Sequence, residues 1–250
     1  MKDLFCGVLL TSTLGCLISF QLPIFLNELN KEDLTHYLKG VIYGIFGLLP
    51  VLIVCGFLLQ INHFMISFLP VICICVILIG LFFLSFHTLI VVLTVFSRIV
   101  QIAGYIFFFL VCMTFFFHMN FTNMTLIDEA LRIVFQMSII VSGSLVLCEI
   151  VLRKFSRQIE KVGQILQIDK YSVMGIILSF GTSIAMLPLF SKMNQKGKIL
   201  NAAFSLSGAF VFGGQLGFIA GVNPDSITWF VVVKLVAGIA GLLIANLCEK

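Results

Sequence analysis

The sequence predicts an all-α, polytopic membrane fold of about seven transmembrane helices plus one re-entrant or broken helical segment, and three observations carry that prediction. Apolar residues fill 60% of the 250 positions and charged residues only 10%, whereas a soluble domain carries about 25% charged residues and can cover itself with them. From Gly40 to Ile127 the sole formally charged side chain is Arg98. The apolar runs are continuous rather than alternating. Backbone facing lipid must satisfy its hydrogen bonds internally, so these runs select helices over a lumen-alternating barrel. Residues 1–250 therefore read as a single integral membrane domain.

A hydrocarbon core about 30 Å thick needs roughly 20 apolar helical residues. Leu4 to Leu26 qualifies first; its one lysine beside Asp3 and its long apolar run distinguish it from a cleaved signal peptide. Leu38 to Ile61, Met65 to Phe86, Ile99 to Met119 and Ile133 to Leu152 follow, then Tyr171 to Phe190, Ile199 to Val222 and Ile227 to Cys248. His87 to Ser97 is too short to span. It either lies at the cytoplasmic interface or lengthens one tilted helix.

Lysine and arginine in short loops set the orientation. The linker Arg153 to Lys170 holds Arg153, Lys154, Arg157, Lys161 and Lys170, while Asn120 to Ala130 holds Asp128 and Glu129 and no basic residue. The linker is thus predicted to be cytoplasmic and the N-terminus external. Ser191 to Lys198 carries Lys192, Lys196 and Lys198 as well. Two basic loops cannot flank one crossing without breaking the rule, so Tyr171 to Phe190 is predicted to enter and leave on the same side. Gly175, Ser179, Gly181, Thr182, Ser183 and Pro188 interrupt it; broken backbone at membrane depth requires cover by protein or a wet cavity. The C-terminus then falls inside.

The formal charge of +4 sits in short loops rather than on a face or an arm, which argues against nucleic acid as a partner and leaves membrane lipid. The eight cysteines lie in or beside apolar runs, no CxxC occurs, and Cys73 and Cys75 point to different helix faces, so they read as reduced packing residues without a metal or other cofactor. No HExxH, GxSxG or P-loop occurs. Ser183 and Ser205 have no histidine or lysine predicted at their depth to act as a base, which argues against an enzyme.

From Tyr171 to Val222 the phenylalanine-rich composition gives way to small and polar residues. Ala202, Ser205, Gly208 and Ala209, at helical spacing, fit helix packing. Gln215 follows two glycines in mid-span, where an amide is costly unless it has partners. Thr182, Ser183, Asn201, Gly213, Gly214 and Gln215 are accordingly the candidate solute-binding residues, with the broken segment around Thr182 and a glycine break around Gln215 expected to face each other near mid-membrane. Lys234 lies two turns into the last helix, where it either snorkels to the outer interface or belongs to a pathway. Glu149 is placed to pair with Arg153 at i,i+4.

Several of these stretches resemble one family. Val162-Gly163-Gln164-Ile165-Leu166, Lys192 through Ser205, Gly213-Gly214-Gln215-Leu216-Gly217-Phe218-Ile219-Ala220 and Lys234-Leu235-Val236-Ala237-Gly238 are similar to the C-terminal part of the EutH-type ethanolamine permeases, with the strongest match over residues 162–245. The resemblance implies a carrier in the bacterial inner membrane that moves ethanolamine or a similar small amine or alcohol. It also implies that the N-terminal part of the family is absent, hence an alternative: a non-transporting remnant, a homodimer, or one subunit of a split carrier needing a partner chain. Where the family reads Gly-Asp-His-Leu-Gly-Phe, this chain has Gly213 to Phe218 without acid or imidazole, and where it reads Asn-Asn-Ile-Pro-Met, this chain has Thr182 to Met186. An amine would then meet neutral oxygens and aromatic faces.

Overall fold

The computed structural model describes residues 11–17, 21–58, 64–119 and 121–250, and among them it contains helices and no strand. Leu4 to Leu26 lies partly outside the described residues; what is seen of it is a π-helical turn at Thr11–Gly15 and α1 (Leu22–Glu28). There follow α2 (Lys31–Leu58), α3 (Phe64–Leu84), α4 (Phe86–Phe117), α5 (Met124–Lys154), α6 (Ser156–Leu166), α7 (Lys170–Ser179), α8 (Leu187–Phe190), α9 (Gln195–Gly208), α10 (Gly214–Val222) and α11 (Ile227–Cys248). Four helical stretches among the described residues are long and apolar enough to cross a membrane, namely Lys31–Leu58, Phe86–Phe117, Met124–Lys154 and Pro224–Cys248.

Capping residues explain the starts. Ser85 Oγ accepts from Thr88 N, Asn123 Oδ1 from Thr125 N, Asp169 Oδ1 from Ser172 N, and Asn194 Oδ1 from Gly197 N, each satisfying an amide that has no partner within its helix. His87 to Ser97 is part of α4, so the reading as a lengthened helix holds, and Arg98 lies well inside that helix. The basic linker is itself helical. In α6 Ile159 and Gly163 are buried while Arg157, Glu160 and Lys161 face outward, the pattern of a surface-lying amphipathic helix. Gln167 in the left-handed region ends it, with Ile168 N donating to Gly163 O at 2.9 Å. The expected Glu149–Arg153 pair forms at 2.7 Å on the exposed face of α5.

The core is the three-way packing of α2, α9 and α11, and small residues make it possible. A Cβ on Gly40 would stand 2.4 Å from Ile199 O, on Gly44 2.7 Å from Ala203 O, and on Gly47 2.2 Å from Gly241 N. Helix backbones thus touch, and dispersion contact replaces the hydrophobic drive that lipid does not supply. Ion pairs lock one end. Lys198 Nζ meets Asp33 Oδ1 at 2.5 Å with both side chains largely buried, and Lys39 Nζ meets Glu249 Oε1 at 2.6 Å, where Tyr43 OH also donates. The starts of α2 and α9 and the close of α11 therefore share one end of the bundle.

The start of α7 belongs to that end too. The Asp169 carboxylate accepts from the backbone N–H of Asn194, just before α9. The segment between them, α7 to α8, therefore returns to the end from which it began, as the basic loops predict. Ile199 to Val222, expected to cross as one span with a glycine break around Gln215, is divided into α9 and α10, the interruption falling just before Gln215. The division follows from Ala209, which is extended, and Phe210, which is left-handed at φ 60°; neither continues a helix.

If the glycine seam sets the core, Gly44→Val forces α2 from α9 and costs about 1–3 kcal/mol of overpacking strain. Thermal unfolding of detergent-solubilised protein should show a clear fall in midpoint for Gly44→Val. Gly80→Val, where nothing lies within 4 Å of the added carbon, should leave the midpoint unchanged.

Candidate functional site

Two interruptions of the helical backbone meet. α7 ends at Ser179, and the chain passes through Phe180-Gly181-Thr182 into a 3-10 turn at Ser183–Met186 before α8. The second interruption, Ala209 to Gly213, separates α9 from α10. Phe210 N donates to Ser179 O at 2.9 Å and Phe212 N to Phe180 O at 3.0 Å, so each break supplies the partners the other lacks. Gly213 lies directly on Gly181: a Cβ there would be 1.8 Å from Gly181 O. Aromatic rings surround the junction, Phe180 edge-on to Phe204 at 5.1 Å and stacked on Phe212 at 5.8 Å. α5 covers it from the side, with Ser144 against Gly181 and Met137 against Gly214 and Gly217.

The predicted site residues distribute around this junction. Thr182 is half-buried and its Oγ1 accepts from Ile184 N at 3.4 Å, capping the 3-10 turn. Ser183 is buried, and its Oγ has no hydrogen-bond partner among the described residues. Gly213 lies against Gly181, in the break after α7, where no Cβ fits, and Gly214 lies against the Met137 and Val141 side chains of α5. Gln215 stands in the first turn of α10. Asn201 is set apart, two turns down α9: its Nδ2 donates to Ser172 O and to Gly197 O, both at 2.9 Å, which ties α9 to α7. Its buried Oδ1 has no partner among the described residues and faces Gly175.

Two functional candidates were not among the predicted six. Lys234 does not snorkel. It is 1% exposed, its Nζ donates to Gln215 Oε1, and it lies 5.5 Å from the centroid of the Phe230 ring. The Cys16 thiol lies beside both Lys234 and Gln215. The signal was a cation inside an apolar helix, and its direction was not readable because the acceptor is on another helix. Phe210 had no signal at all. A bulky residue at φ 60° is a rare, strained conformation held only by its surroundings, here the buried ring and the bond to Ser179.

Comparison with known proteins bears on what this arrangement serves. The family described as "Ethanolamine utilisation protein, EutH" matches residues 1–248. The "Probable ethanolamine permease EutH" of Listeria monocytogenes is 30% identical over 260 residues, covering 99% of this chain and 68% of that protein. The uncharacterised protein YxeR of Bacillus subtilis is 25% identical over 245 residues, covering 94% of this chain and 65% of its own length. The probable ethanolamine permease EutH of Escherichia coli is 26% identical over 117 residues, 47% of this chain and 29% of that protein. The chain thus spans about two thirds of the length of the first two. No solved structure matches it.

The junction generates its own test. Gly213→Ala drives a methyl group into Gly181 O and should separate the two breaks, lowering the unfolding midpoint by an amount equivalent to about 1–3 kcal/mol. Gly104→Ala, on α4 with nothing within 4 Å, serves as the matched control; equal midpoints for the two variants would show that the breaks do not depend on this contact.

Proposed function

Since the chain belongs to the EutH family of ethanolamine-utilisation proteins, we propose that it is a permease-like carrier that moves a small amine alcohol such as ethanolamine across the bacterial inner membrane. The observation that carries this reading is the meeting of two interrupted helices, Ser179–Ser183 against Ala209–Gly213, in the interior of a helical bundle. Interrupted helices place backbone carbonyls, amides and helix ends within reach of a solute at a depth where regular helices offer only side chains.

In this reading the two ends of the solute use different neighbours. The amine is taken by Gln215 Oε1 and by aromatic faces, a neutral and hence weaker substitute for a carboxylate. The hydroxyl is taken by Ser183 Oγ and Thr182, while the free Oδ1 of Asn201 offers a further acceptor lower in the bundle. Gly213 and Gly214 act by letting the backbones close around it. The orientation that fits the basic loops is N-terminus outside and C-terminus inside. The shared end formed by Asp33–Lys198, Lys39–Glu249 and Asp169–Asn194 supports that arrangement.

Uptake of labelled ethanolamine into cells or proteoliposomes should exceed that of an empty control, and indistinguishable uptake would remove the transport reading. Gln215→Leu should abolish uptake while the protein still reaches the membrane in normal amount. Full activity in that variant would take Gln215 out of the site.

A further inference from the structure

Lys234 is the one described cation buried within a membrane-length helix, and nothing derived so far gives it a role. Its surroundings are those of an amine-binding site. Nζ donates to the neutral oxygen Gln215 Oε1, the Phe230 ring lies beneath it at 5.5 Å, and the Cys16 thiol is alongside. One amide oxygen aimed at a primary amine over an aromatic face is a recognised way of holding such a group out of water. The side chain's dimensions sharpen the point. Beyond Cβ, lysine contributes Cγ, Cδ, Cε and Nζ, four heavy atoms ending in a primary amine. That is n-propylamine, and ethanolamine is the same skeleton with its terminal methyl group replaced by hydroxyl.

We propose that Gln215, Phe230 and Cys16 form a subsite for a small primary amine, and that Lys234 occupies it as a tethered stand-in which the solute must displace. The proposal rests on the carrier reading and deepens it, by naming the group recognised and the residue that competes for it. Packing explains how the tether is held without closing the subsite. Lys234 leaves α11 one helical turn before Gly238, which itself lies against Gly208 of α9, so the stem is anchored in the α9–α11 contact. Its tip reaches to the first turn of α10, an element that follows α9 through the irregular Ala209–Gly213 backbone. Exchange of the tip therefore needs movement of a side chain, with the glycine seam left intact.

Chemical rescue tests this on the full-length chain in detergent. Lys234→Ala removes the four heavy atoms and leaves a vacancy of that shape. Addition of n-propylamine or ethanolamine should raise the unfolding midpoint of Lys234→Ala by several degrees. The native protein should shift only at tenfold or greater concentration. Gln215→Leu/Lys234→Ala should not shift, and n-propanol, which lacks the amine, should rescue neither. Absence of an amine-specific shift in Lys234→Ala, or an equal shift in the double variant, would overturn the proposal. Should Lys234→Ala aggregate, n-propylamine is supplied during extraction. Recovery of monodisperse protein with the amine and not with n-propanol supports the subsite; no recovery alongside a well-folded Lys234→Met overturns it. Ethanolamine uptake by the native protein is measured in parallel. Uptake without rescue leaves the carrier and removes the tether, and rescue without uptake does the reverse.

Discussion

In a low-dielectric interior, a backbone that leaves the helix must find a new partner for every amide and carbonyl it releases, because each one left alone costs several kcal/mol. This constraint organises the C-terminal half of the chain. The carbonyls of Ser179 and Phe180 are freed where α7 ends, and the amides of Phe210 and Phe212 are freed where α9 ends. Neither interruption is satisfied alone; brought together, each answers the other. Gly213 is required because the distance between the two main chains leaves no room for a Cβ. The left-handed Phe210 is the strained residue that turns the chain so that the bonds can form.

Register at the junction depends on contacts far from it. Along α9, each residue advances about 1.5 Å, so Lys198 lies roughly 15 Å below Gly208, and its bond to Asp33 fixes how far α9 rises beside α2. A buried ion pair is poor evidence of net stability, since desolvation offsets most of the attraction. Its effect here is positional. Asn201 holds α9 to α7 at an intermediate level through Ser172 O, and Gly40, Gly44 and Gly47 set the depth to which α2 sinks against α9 and α11. A slip of one residue at this end would carry Phe210 away from Ser179 and leave four backbone groups unanswered.

Much of this was legible in the sequence, and the unread parts share a cause. Tyr171 to Phe190 returns to its starting end as its two flanking basic loops demanded, because charge near the interface acts locally and needs no knowledge of partners. The spacing of Gly40, Gly44 and Gly47 was present in the sequence too, yet glycines at helical spacing do not say which helix will face them. Ile199 to Val222 reads from the sequence as a span with a glycine break around Gln215; the helix stops a few residues earlier, at Ala209 and Phe210, neither of which has an intrinsic preference for stopping a helix, and the position is imposed by Ser179 and Phe180, some thirty positions earlier. The choice between the two directions of Lys234 stays open in the sequence for the same reason, its acceptor being on α10. Local signals were readable and pairwise long-range ones were not.

The chemistry around Gln215 also has a direction. An amine near the first turn of α10 faces the positive end of that helix, an arrangement worth roughly 0.3–1 kcal/mol against a cation. The Gln215 carbonyl offsets it as an oriented dipole between the two, and the Phe230 ring adds attraction that carries no desolvation penalty of a second charge. A carboxylate at the same position would hold an amine far more tightly and would also bind Lys234 as a permanent salt bridge. In the proposed subsite a neutral acceptor makes similar bonds to tether and solute, and the tether's high effective concentration means that the solute displaces it only when in excess. A carrier must release what it binds, so weak, exchangeable recognition of the amine is the physical condition under which a buried lysine and a passing solute can use the same oxygen.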